Sequence, residues 1–159
     1  MKKINLVLVF IFAVITLKAQ SKDDIAIVQG LFGKEKRAVV EEYMKLSAAE
    51  APGFWKVYDT YESQRKANGQ QRIALINDYI NNLSSLTDAK ATELVSKIGQ
   101  LNLSDDKLLL KTFKDMSKVV SPVKAAQFVQ LEKYISASIQ MAVQDNIPFI
   151  GELENEMNK

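Results

Sequence analysis

Beyond residue 20, apolar residues recur at helical spacing along nearly the whole chain, and that periodicity leaves few folds open. Ile73, Ile76, Ile80 and Leu83 form one stripe, and Leu94, Ile98 and Leu101 a second. Phe128, Leu131, Ile135, Ile139 and Ala142 form a third. Residues three and four apart share one face of a helix, whereas a half-buried strand alternates strictly, and no stretch here sustains that alternation. Only six Gly and three Pro occur in 159 residues, so turns are few and the elements long. The predicted fold class is all-α, with about four helices in a bundle or an elongated helical hairpin arrangement.

Three segments open alike: Leu46-Ser47-Ala48-Ala49-Glu50-Ala51, Leu86-Thr87-Asp88-Ala89-Lys90-Ala91 and Val120-Ser121-Pro122-Val123-Lys124-Ala125. In each, a Ser or Thr hydroxyl is placed to accept from an unpaired amide of the first turn. Ser47 with Glu50 has the spacing of a capping box, and Pro122 sits where its missing N–H costs nothing. The apolar residue before each cap and the Ala four positions on are placed as a weak hydrophobic staple. These caps predict helices over 48–85, 88–119 and 122–146, preceded by one over 24–45 in which Gly30 or Gly33 is a candidate break point. Ile147-Pro148 stops the last helix, and Phe149 with Ile150 is expected to fold back on the bundle. Two places strain the scheme. Residues 62–72 contain no large apolar group, yet Glu62, Gln64, Arg65, Lys66 and Ala67 favour a continuous helix. Leu103-Ser104-Asp105-Asp106 has the form of another cap and is a possible division of the third helix.

The N-terminus reads as an export signal. Met1-Lys2-Lys3 is a short basic start, Ile4 to Leu17 is an apolar run of 14 residues, and Lys18-Ala19-Gln20 precedes a polar segment. A membrane span needs roughly 20 apolar residues, so a leader cleaved after Ala19 or Gln20 is the expectation. No Cys follows to carry a lipid. The expected division is a signal peptide over 1–20, a helical domain over 21–150 and a polar tail over 151–159. Lys2, Lys3 and Lys18 are three of 21 basic residues, and the other 18 face 19 acidic ones. The mature chain is then close to neutral, which removes the argument for nucleic acid or an acidic lipid surface as partner. A chain of about 140 residues buries enough surface to fold as one domain without disulfides, and an exported, periplasmic location in a Gram-negative cell fits.

The residue types needed for most catalysis are missing. With no His and no Cys, the usual base at neutral pH, the thiol nucleophile and nearly every transition-metal site are absent. The carboxylate pairs Glu41-Glu42, Asp23-Asp24 and Asp105-Asp106 are adjacent residues, which diverge by about 100° on a helix and read as solvated faces. No glycine-rich phosphate loop exists. The sequence predicts no enzyme and no cofactor.

The most unusual local feature is aromatic. Phe54, Tyr58 and Tyr61 lie at i, i+4 and i+7, with Trp55 beside them. Core packing is the plain reading, and a partly exposed surface for a partner protein or an unfolded polypeptide is the functional one. In the run from Phe128 to Tyr134, Phe128, Leu131 and Ile135 are expected to face inward, and Gln130, Glu132 and Lys133 outward. Ile25-Ala26-Ile27-Val28 with Leu31-Phe32 is a further apolar segment that either docks on the bundle, binds a partner or swaps between protomers.

Leu46-Ser47-Ala48-Ala49-Glu50 and Leu86-Thr87-Asp88-Ala89-Lys90 resemble the Leu-Thr-x-x-Gln motif of the periplasmic Spy/CpxP-like stress proteins, with Glu and Lys in place of the Gln. That resemblance implies a small exported helical protein engaged in ATP-independent chaperoning or envelope-stress sensing. The layout from Leu46 to Pro148 is also similar to secreted bacterial helical proteins described as sensors linked to extracytoplasmic sigma factors. The matching segments there are Phe54-Trp55-x-x-Tyr58-x-x-Tyr61, Ile76-Asn77-Asp78-Tyr79, Gln130-Leu131-Glu132 and Ile147-Pro148. Together these readings lead to a non-enzymatic interaction protein, with a regulatory subunit for one specific envelope protein as the alternative. An enzyme using carboxylates and Lys is the remote third choice. Stripes left incomplete on long helices also make a homodimer an expected state.

Overall fold

A computed structural model of the chain describes residues 34–148 and Ile150. The expected leader, the expected start of the first helix with its candidate break at Gly30 or Gly33, the segment from Ile25 to Phe32, Phe149 and residues 151–159 lie outside those residues. Among the described residues the structure is all-α: α1 Lys36–Met44, α2 Ala51–Asn82, α3 Asp88–Met116 and α4 Pro122–Gln144, with a single 3₁₀ turn Leu83–Ser85 after α2. None of these helices is long and apolar enough to cross a membrane.

The caps act where the sequence placed them. The amides of Lys90 and Lys124 donate to the hydroxyls of Thr87 and Ser121, each at 3.2 Å. At the start of α2 the Ser47 amide and hydroxyl donate to Glu50 Oε2 at 2.9 and 2.7 Å. The Ser47–Glu50 turn leads into the helix, which is why α2 begins at Ala51 rather than residue 48. Lys124 Nζ reaches the same Glu50 oxygen at 2.6 Å, so the N-termini of α2 and α4 sit side by side. These two helices therefore run parallel, with α3 antiparallel to both. At the other end the Tyr79 hydroxyl donates to the Pro148 carbonyl at 2.7 Å, fixing the chain beyond α4 against α2.

α2 is unbroken through 62–72, and the absent apolar groups have polar replacements. Asn68 Nδ2 donates to Asp105 on α3 at 2.6 Å, and Arg72 donates to Asp105 and Asn102, both at 2.8 Å. A polar layer thus joins the two long helices where the apolar stripe lapses. The same contacts explain why α3 does not divide at Leu103–Asp106: Asp105 faces α2 instead of capping a new helix. Nearer the hairpin tip, Lys90 pairs with Asp78 at 2.7 Å.

The main core lies at the opposite end, where all four helices meet. Val40 and Met44 of α1, Phe54, Tyr58 and Tyr61 of α2, Leu109 and Met116 of α3, and Ala125, Phe128, Leu131, Ile135 and Ile139 of α4 form it. The α3–α4 turn comes close to α2, so that a Cβ on Gly53 would lie 3.0 Å from Val119 Cβ. α1 ends at Met44 because Lys45 takes the left-handed conformation, φ 45° and ψ 55°, a role glycine usually fills at helix ends.

The Glu50 carboxyl is held down to about 2 by Lys124 first and by the Ser47 donors after it, against an ordinary 4.5. A depressed carboxyl stabilises the fold fully above its unfolded value, and that contribution disappears as pH falls through the folded one. Glu50→Gln is expected to lower the urea midpoint at pH 7 and to narrow the gap from wild type as pH falls from about 4.5 towards 2.

Candidate functional site

The spacing of Phe54, Tyr58 and Tyr61 puts all three on the α2 face that meets α4. Their rings stand around Phe128 with centroids 5.7, 6.0 and 5.7 Å away, each close to perpendicular, the edge-to-face geometry that aromatic quadrupoles favour. Phe54 is fully buried, and Tyr58 and Tyr61 are 2% and 5% exposed. These three are core, and they present no surface to a partner in this arrangement. Trp55 is half-buried and stacks edge-on to Tyr58 at 5.2 Å. It also meets Phe54 edge-on at 5.1 Å and lies under the Arg37 guanidinium of α1, 4.1 Å from its ring centroid.

One residue expected to face water does not. Gln130 and Lys133 are exposed, whereas Glu132 is 1% exposed. Glu132 lies four positions after Phe128 and three before Ile135, so the stripe that buries those residues carries it inward as well. Its partner is Lys36 of α1, whose ammonium donates to Glu132 Oε1 and to Glu62 Oε2 of α2, both at 2.8 Å. Arg65 donates to both oxygens of Glu62, at 2.9 and 3.0 Å, and the Ser136 hydroxyl donates to Glu132 Oε1 at 3.3 Å. Glu132 Oε2 is buried and accepts no hydrogen bond among the described residues.

The cluster contains two cations and two carboxylates, and their charges balance. Burial works against the charge on Glu62, but the bonds from Arg65 and the charge of Lys36 outweigh it and hold that carboxyl below its ordinary value. Burial, reinforced by the charges of Glu62 and Glu132, pushes the phenols of Tyr58 and Tyr61 far above their usual range. Both stay neutral in water at any ordinary pH and supply no base. Lys36 also stands 5.5 Å from the centroid of the Tyr61 ring, within reach of a cation–π attraction. The chemical capacity of this arrangement is attachment. It ties a short helix to two long ones. No group of His, Cys, Asp or Glu among the described residues is arranged to hold a metal ion.

On the outer side of α1 a groove of about 820 Å³ runs between α1 and α4. Val39 and Leu131 contribute apolar floor, Tyr43 and Tyr134 stand at the walls, and Lys34, Glu42, Lys45, Gln127 and Gln130 form the rim. Tyr43 is 49% exposed and Tyr134 62%. This is where the described residues present aromatic surface. The sequence hid it because Tyr43 and Tyr134 are far apart in the chain and each looks like an isolated surface aromatic.

No protein-family model, curated protein or solved structure matches the chain.

Replacing Lys36 with Met leaves the buried Glu132 carboxylate without its cation and is expected to cost about 3–5 kcal/mol at pH 7. Protonating one carboxylate relieves the variant, so its deficit shrinks as pH falls. The double variant Lys36→Met, Glu132→Leu is expected to recover most of the loss, since an apolar pair leaves no stranded charge. Urea denaturation of the four proteins in the cycle, at pH 7 and pH 5, checks both points.

Proposed function

We propose that the protein is an exported, non-enzymatic helical interaction protein, chaperone-like or tied to envelope stress, that binds segments of other polypeptides. The observation that carries this reading is the groove between α1 and α4. It combines an apolar floor, two half-exposed tyrosines and a rim of amides and mixed charges. Tyrosine offers large contact area at low entropic cost with a polar tip for adaptable hydrogen bonds, which suits recognition of varied peptide segments. The leader-like pattern over residues 1–20 supports export, and the near balance of charge after it supports a protein partner over nucleic acid.

The expected outcome is that the purified protein suppresses aggregation of a chemically denatured client at near-stoichiometric amounts. Tyr43→Ala with Tyr134→Ala is expected to remove at least half of that suppression while leaving far-UV circular dichroism and the urea midpoint almost unchanged, because neither side chain belongs to the buried core. Full activity in the double variant would break the link to the groove. Absence of suppression, together with affinity capture of one envelope protein and no others, would favour the regulatory-subunit reading.

A further inference from the structure

α1 is the least self-sufficient helix described. It has nine residues, no side-chain hydrogen bond at its N-terminus and no basic residue in its last turn, and helices shorter than about 12–15 residues are marginal alone in water. Its attachment rests on few side chains, with Val39 partly buried against the core. Val40 and Met44 enter the core, Lys36 spans Glu62 and Glu132, and Arg37 covers Trp55 while pairing with Asp59. The surface beneath it belongs to α2 and α4, 32 and 23 residues long, which are joined independently by the Lys124–Glu50 pair and the rings around Phe128. Local opening is cheapest where an element has few buried contacts of its own.

With α1 lifted, Trp55, Tyr58, Tyr61, Phe128 and Leu131 line a trough ending at two carboxylates. Arg65 satisfies Glu62, but Glu132 then has no cation, and its Oε2 accepts no hydrogen bond even with Lys36 in place. Such a trough selects a helix bearing a cation one turn ahead of apolar residues at i+4 and i+8, the pattern of Lys36, Val40 and Met44. We propose that the seat of α1 is a docking site for a basic amphipathic helix of another protein, with α1 as its resident occupant. This rests on the reading of the chain as an interaction protein and names the kind of segment it takes. The unused Glu132 oxygen adds a preference. An arginine, with its forked donors, engages both oxygens where lysine engages one.

Trp55 is the only tryptophan in the chain and lies under Arg37, so its fluorescence reports occupancy of the seat. The probes are synthetic peptides matching residues 34–46, one with the natural sequence, one with Lys36→Arg and one with Lys36→Met. The full protein carrying Val40→Asp, which loosens α1, is expected to bind the natural peptide at least ten-fold more tightly than wild type does. The Lys36→Arg peptide is expected to bind several-fold more tightly, and the Lys36→Met peptide at least ten-fold more weakly. Equal affinity for all three peptides, or no binding by a Val40→Asp protein that remains helical, overturns the proposal. Should Val40→Asp fail to fold, native-state hydrogen exchange on the wild type decides. Faster exchange at the Val40 and Met44 amides than at Phe54 and Phe128 supports a separable α1, and equal protection overturns it. A dimer formed by exchange of α1 between two copies assigns the seat to self-assembly and also overturns it. Because Tyr43 and Tyr134 lie on the outer groove, a failed client assay and a failed peptide titration are separate results.

Discussion

The Lys36 ammonium, held between Glu62 and Glu132, is the one ion-pair contact among the described residues that α1, α2 and α4 all share. Taking these charges out of water costs several kcal/mol per ion, and only close geometry with further hydrogen bonds offsets it. Arg65 and Ser136 supply such bonds, and the cluster as a whole is neutral. Its position matters as much as its composition. The ring cluster around Phe128 lies next to it along α2 and α4, so the same layer of the bundle contains both the aromatic core and, among the described residues, the buried charges Lys36 and Glu132. Loss of Lys36 would leave like charges facing one another beside the core, whereas loss of an exposed pair such as Lys111–Asp115 removes little.

Away from that layer the bundle is held differently. α2 has 32 residues and so is about 48 Å long at 1.5 Å per residue, too long for one aromatic cluster to hold along its length. Its upper half relies on the Asn68 and Arg72 bonds to α3, the Lys90–Asp78 pair and partly buried apolar residues, with Ile80 still 42% exposed. Hydrogen bonds between helices are directional, so they set the register of α2 against α3 where a sparse apolar stripe would tolerate sliding. The stretch from Glu62 to Arg72 is therefore a change in the type of adhesive and not a gap in the structure.

Features that depend on local chemistry were legible in the sequence. Ser47, Thr87 and Ser121 cap helices because a hydroxyl and the amide it meets are three residues apart, and the inward faces of α3 and α4 follow from spacing alone. What was hidden depends on pairs distant in the chain. Asp105 looks like a cap until Arg72 is placed opposite it. Glu132 has the charge of a solvated residue, although its place four residues after Phe128 directs it inward. Lys36 gave no signal, being one of three cations within four residues. The aromatic cluster of Phe54, Tyr58 and Tyr61 was recognised as a unit, but its burial depended on Phe128 lying across from it, which no local pattern states.

An apolar replacement for the Lys36–Glu132 contact would often be equally stable, so the presence of charge there calls for another explanation. α1 offers one. Two of its faces are apolar at the same spacing: Val40 with Met44, which is buried, and Val39 with Tyr43, which borders the outer groove. Burial of apolar area alone discriminates poorly between them, and a rotation of about 100° would bring Val39 and Tyr43 to where Val40 and Met44 now lie. The residue one turn ahead settles the choice. Lys36 precedes Val40, and Glu35 precedes Val39, so the rotated helix would press a third carboxylate against Glu62 and Glu132. The buried carboxylates reject that orientation and accept the observed one. Specificity of orientation is thus purchased with a desolvation cost, and the same selection rule would apply to any helix that took the place of α1.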